Sequence, residues 1–153
     1  MDKKIETVVN EQLNTELWSA NMYIALQVYF EKQDLPVLAL WLKTQSKKKA
    51  ERMQKLAAFL LREGATVDIQ SLVFGTEQWQ SPVVALDSLF EHEQYFHKQV
   101  NDFMAFVRNT EYPVLQSLVL DLYVDEVHVS DFFGRIVAYA CQRMEETVTI
   151  GVK

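Results

Sequence analysis

The sequence predicts an all-α fold, an up-down-down-up four-helix bundle with one long crossover. Three observations predict it. Four segments repeat apolar residues at steps of three and four, the spacing that aligns side chains along one side of a helix. The only prolines, Pro36, Pro82 and Pro113, stand at segment starts, where a missing backbone N–H does no harm. Residues 64–81 carry no helical period, whereas the other two junctions are short and make their helices antiparallel neighbours. A helix of about 28 residues is about 42 Å long, and about 18 extended residues reach roughly 60 Å. The long junction can therefore cross the bundle end to end.

Taken in order, the first helix is expected over about 2–31, with the stripe Ile5, Val9, Leu13, Glu16, Ala20, Tyr23, Gln27 and Phe30. After Gln33-Asp34-Leu35 the second runs over 36–63, with Leu38, Leu42, Gln45, Lys49, Arg52, Leu56 and Phe59 in line and Gly64 as its C-terminal cap. The crossover, 64–81, carries an apolar patch of Ile69, Leu72, Val73 and Phe74 that wants cover. Ser81-Pro82 opens the third helix, 82–109, whose stripe is Leu86, Leu89, Glu93, Phe96, Val100, Phe103 and Val107. The fourth, 113–144, is expected to face inward with Leu120, Tyr123, Val127, Ser130, Phe133 and Val137. Gly134 inside it would permit a bend or a close contact. All of 1–153 makes one domain, long enough to bury a sizeable core.

Composition narrows the function. A net charge of −6 argues against nucleic-acid binding, and Lys47, Lys48 and Lys49 point around their helix rather than into one patch. No run is long enough to span a membrane, and the start lacks the apolar core of a signal peptide. Cys141 is the only cysteine, so no intrachain disulfide can form, and it is expected to pack as a small apolar residue. A soluble, cytoplasmic protein is expected.

Four charges interrupt the apolar stripes: Glu16, Lys49, Arg52 and Glu93. They fall at similar depths on three helices and sum to zero. Buried ions are rare unless paired, so Lys49 and Arg52 are expected to form salt bridges with Glu16 and Glu93, with Tyr23 donating a hydrogen bond from two turns away. His97, four residues after Glu93, and His128, two after Glu126, are candidates for a relocated metal site.

The segments N-T-E-L-W-S-A-N-M-Y (Asn14 to Tyr23), E-H-E-Q (Glu91 to Gln94) and E-Y-P-V-L-Q-S-L (Glu111 to Leu118) resemble bacterial non-haem ferritin, and the likeness covers nearly the whole chain. The resemblance implies a ferritin-like bundle and a hollow shell of about 24 subunits built from two-fold dimers. It also implies iron storage, with a di-iron ferroxidase site in catalytic subunits. By position, Glu16 and Glu93 match family metal ligands and Tyr23 the tyrosine beside them. The expected E-x-x-H of the second helix is Lys49-Ala50-Glu51-Arg52 here, and Val127 and Ser130 stand for the polar ligands of the fourth. At the accessory third iron site Lys48 and Val129 replace acids and only Glu126 is left. Ala50 takes the place of the haem-ligating methionine, so no haem is expected.

The usual di-iron site is thus expected to hold no metal. An ion-pair cluster of Glu16, Lys49, Arg52 and Glu93 would replace it, as a lysine does in the non-catalytic light chain of animal ferritin. Iron would enter only as stored mineral, and oxidation would fall to a catalytic subunit in a mixed shell. Only nine residues follow Met144, so the family's short fifth helix is expected to be missing. Trp18, Trp41, Phe59 and Tyr29 are expected to leave apolar surface for assembly. Two other classes stay open: a metal-dependent oxidase using Glu16, Glu93 and His97, and a helical scaffold that handles no iron.

Overall fold

A computed structural model describes residues 1–71 and 79–151, with side chains through residue 146. Four helices form: α1 Lys3–Lys32, α2 Pro36–Arg62, α3 Pro82–Val107 and α4 Pro113–Gly151. Local chemistry sets their ends. The Asp2 carboxylate accepts from the Lys4 N–H at 2.7 Å, and the Ser81 hydroxyl accepts from the Val84 N–H at 3.2 Å. The α1–α2 turn needs one left-handed residue, Asp34 at φ 60°, a conformation aspartate tolerates. Gly64 ends α2 at φ 68°. α4 continues past the expected end near Met144, to Gly151.

α1 packs beside α2 and α3, and α4 beside α2 and α3, in a square with long diagonals. Segment 66–70 of the crossover is tied to α1 by two asparagines one helical turn apart. Asn10 donates to the Thr66 carbonyl (2.9 Å) and accepts from the Asp68 N–H (2.8 Å); Asn14 donates to the Asp68 carbonyl (2.8 Å) and accepts from the Gln70 N–H (2.9 Å). Two side-chain amides thereby copy the pairing of a neighbouring strand. Ile69 lies 57% exposed; Leu72, Val73 and Phe74 of the expected apolar patch fall outside the described residues.

The core has two large apolar clusters, with a small third one of Phe96, Val100 and Leu122. One large cluster gathers Val9, Leu13, Leu56, Phe59, Phe103 and Leu115; the other gathers Leu26, Phe30, Leu38, Leu42, Leu89 and Phe133. Between them lies the layer that contains Glu16, Lys49 and Glu93, all buried. The inward face of α4 differs from expectation. Leu115, Val119, Leu122, Glu126, Val129, Phe133, Ile136 and Ala140 are buried, whereas Leu120 is 49% exposed. α4 carries apolar residues nearly all round, so period alone does not choose its face; packing does. Trp41 and Phe59 are buried too, leaving Trp18 partly exposed and Tyr29 half-buried. A Cβ on Gly134 would meet nothing within 4 Å, so no close contact requires that glycine. Cys141 is partly buried against the core. No helix among the described residues is long and apolar enough to cross a membrane.

Candidate functional site: a buried charge layer

All four helices contribute to the layer. α1 supplies Glu16, α2 supplies Lys49 and Arg52, α3 supplies Glu93, and α4 supplies Glu126 with Asp125 beside it. Glu16 is fully buried and Lys49 and Glu126 are each 1% exposed.

The charges divide into two groups. Toward the α2–α4 groove, Arg52 contacts the Asp125 carboxylate and lies 4.0 Å from that of Glu16. Lys48 reaches Asp125 from outside at 3.5 Å. These are contacts of charge rather than aligned hydrogen bonds, since neither terminal guanidinium nitrogen has a hydrogen-bond partner. The Gln12 amide donates to Glu16 at 3.3 Å. Toward α3–α4, the buried Glu93 and Glu126 face each other, and neither Glu126 oxygen has a hydrogen-bond partner. Two buried carboxylates side by side repel, which favours a proton on one of them. Burial first, and Glu126 second, push Glu93 up to about 9. Burial also raises Glu16 and Glu126, against the pull of Lys49 and Arg52 on both.

Lys49 departs from expectation. Its ammonium has no carboxylate within 4.0 Å among the described residues; it sits 3.2 Å from the Phe96 ring centroid and 5.0 Å from that of Tyr23. Cation–π attraction replaces the expected salt bridge. Burial lowers the Lys49 pKa to about 8, although Glu16 and Glu126 pull it upward. Glu93 likewise pairs with neither cation, because it faces Glu126 instead. Nor does the Tyr23 hydroxyl donate into the layer: it is buried without a hydrogen-bond partner.

Sequence reasoning missed three members. Glu126 was assigned only to an accessory site, although it lies on the stripe Leu122, Glu126, Val129 at helical steps. Asp125 drew no attention. His92 was passed over too, although it stands three residues after Leu89 and four before Phe96. The structure buries His92, with its Nε2 2.6 Å from the Ser19 hydroxyl and its ring against Trp18 and Tyr23. Burial, then Lys49, lowers its pKa to about 3, so it is neutral. The two histidines singled out from the sequence lie further out. His128 is exposed, and His97 lies within 3.2 Å of the Ser130 hydroxyl and acts on Glu126 by charge alone. Val127 and Ser130 are half-buried and exposed, off the inward face.

Against known proteins, a family described as a ferritin-like domain matches residues 7–140. The chain is 27% identical over 101 residues to a bacterial non-heme ferritin of Bacteroides fragilis, covering 66% of this chain. It spans 64% of that relative's length. A bacterial non-heme ferritin of Campylobacter jejuni is 22% identical over 136 residues, covering 88% of this chain and 80% of the relative. Among solved structures, an open pore ferritin from the hyperthermophilic archaeon Archaeoglobus fulgidus superposes with a TM-score of 0.77 at 20% identity, covering 90% of this chain and 85% of that one.

Proposed function

The chain belongs to the ferritin-like family, and on that premise we propose that it is an iron-storage shell subunit with a degenerate ferroxidase centre. Lys49 and Arg52 stand where a catalytic subunit would place a pair of iron ions. The observation that carries this reading is the burial of Lys49, with Arg52 largely covered beside it, in the layer that holds Glu16, Glu93 and Glu126.

The residues do not fit a metal pair. Glu16, Glu93 and Glu126 offer hard oxygen donors, but any cation between them would face two positive charges already in place. Among the described residues no group of three or more His, Cys, Asp or Glu side chains stands together as a metal site. A metal would moreover have to displace the proton that burial and the nearness of Glu126 favour on Glu93. Iron is then cargo rather than a resident cofactor. It is oxidised outside this bundle, by air or by a catalytic subunit of a mixed cytoplasmic shell.

Two measurements test this. Ferrous iron mixed with the protein in air should oxidise no faster than in buffer; a rapid phase saturating at about two irons per chain would overturn the reading. Light scattering should give about 430 kDa, a shell of about 24 chains of 17.8 kDa. A stable monomer would remove the storage role.

A further inference from the structure

Three aromatic side chains that can give up an electron are linked, through His92, by successive ring contacts in the bundle, and the storage role uses none of them. Trp41, buried on α2, lies 6.2 Å from Tyr23 of α1 between ring centroids. Tyr23 lies 5.3 Å from His92 of α3, and His92 lies 5.0 Å from Trp18 of α1. Trp18 is 37% exposed and borders a surface groove with Glu11, Asn14 and Tyr95. Each centroid separation is a ring-contact distance. Packing alone would be served as well by phenylalanine, whereas indole and phenol are the aromatic side chains most readily oxidised by one electron.

The surroundings give the series a direction. A positive radical on Tyr23 would sit 5.0 Å from the Lys49 ammonium, a repulsion strengthened by burial. Tyrosine also keeps an electron vacancy only after its phenol proton leaves, and that hydroxyl has no acceptor. Tyr23 can pass a vacancy on but does not retain it. Trp18 at the outer end meets water, which solvates the charge and accepts an indole proton, with the Glu11 carboxylate in the same groove. Neutral His92 beside it adds no opposing charge.

The geometry points to a one-electron path from Trp41 through Tyr23 and His92 to Trp18, along which an oxidised bundle interior is repaired from the surface. A one-electron oxidant, such as a peroxide-derived radical, takes an electron from Trp41 and is itself reduced. Trp18 returns one electron to Trp41 along the series. It then releases its indole proton to water and is left as a neutral radical, which an external thiol reduces by donating a hydrogen atom. The path does not depend on the storage reading.

The test uses the full chain with Cys141→Ser and Leu40→Cys, the new thiol carrying a ruthenium photo-oxidant beside Trp41. After a flash, the tryptophanyl radical should appear, and mass spectrometry should find the trapped oxidation product at Trp18. Trp18→Phe should leave the product on Trp41. Tyr23→Phe keeps the ring and deletes only a hydroxyl that bonds to nothing, so folding should not change. It should nonetheless cut the Trp18 yield roughly tenfold, equivalent to about 1.4 kcal/mol on the transfer barrier. A product confined to Trp41 in the parent, or an unchanged Trp18 yield in Tyr23→Phe, would overturn the path.

Discussion

Replacing Lys49 by methionine should stabilise the protein, although it deletes a cation from a layer rich in carboxyls. The ammonium falls from 10.5 to about 8 on folding, mainly through burial. At about 1.4 kcal/mol per pH unit, its charge costs roughly 3 kcal/mol in the folded state near neutrality, after the attraction of Glu16 and Glu126 is included. Methionine fills a similar volume without that cost, as when buried ion pairs give way to apolar residues. The advantage should depend on pH in a fixed direction. Between about 8 and 10.5 the unfolded chain holds the Lys49 proton and the folded chain does not, so parent stability rises with pH in that window. The gain from Lys49→Met should be full below about 8 and nearly gone by 10.5. Arg52→Met should behave oppositely, because Arg52 contacts Asp125 and Glu16. Breaking a buried pair costs about 3–5 kcal/mol, but Asp125 is partly exposed and can regain water, so about 2–3 kcal/mol is expected. Urea titration at fixed protein concentration, near neutral pH and again above pH 9, reads both variants. A loss of about 2 kcal/mol or more in Lys49→Met at neutral pH would refute the reasoning, since it would make Lys49 the clamp that holds the carboxyls.

Other outcomes follow from the same layer. His92 is held neutral, with its pKa at about 3 against 6.5 unfolded, so stability should rise with pH across that window and be fully present above it. His92→Gln should flatten the acid limb of unfolding midpoint against pH; an unaltered limb would mean the ring meets water. Glu93 is raised from 4.5 to about 9, so its contribution is complete below 4.5 and falls as pH climbs toward 9. Glu93→Gln, neutral throughout, should remove that decline, and a parallel decline in both proteins would refute the raised Glu93 pKa. Asn10→Ala deletes two hydrogen bonds to the crossover, about 1–2 kcal/mol in total. Amide hydrogen exchange at Asp68 should quicken, and unchanged exchange would show that Asn14 suffices.

α1, α2 and α3 each alternate polar and apolar faces, so Leu13, Leu42 and Phe96 announce their burial, and the charges on the same stripes are announced with them. Proline and glycine punctuate the ends without tertiary help. α4 was less legible because Val124, Val127, Phe132 and Leu120 compete with Val119, Val129 and Phe133 for the core. A face chosen by packing is not written in one helix's period. The pairing within the layer was hidden for another reason. Opposite charges on facing stripes suggest mutual salt bridges, but partner choice depends on distances of an ångström or two that spacing does not contain. Hence Lys49 meets a phenyl ring, Glu93 meets another acid, and Arg52 finds Asp125 at the groove.

That same ambiguity gives the charge layer a structural task. With apolar residues almost all round, α4 could turn by one residue and still bury valine and phenylalanine. Such a turn would bring Val127 inward, carry Asp125 away from Arg52, and withdraw Glu126 from Glu93 into the place that Asp125 leaves. Glu93 would then be buried against a valine with no polar partner, a cost of a few kcal/mol. The polar contacts therefore select among rotations of α4 that the apolar contacts scarcely distinguish, as a buried polar residue can set helix register. Glu126→Leu together with Asp125→Ala should leave the protein helical but α4 in more than one register. The readout is methyl NMR of Val127 and Val129, each expected to split into slowly exchanging signals. A single sharp set with parent-like shifts in the double variant would show that packing alone fixes the rotation, and that the layer's charges are not what holds α4 in place.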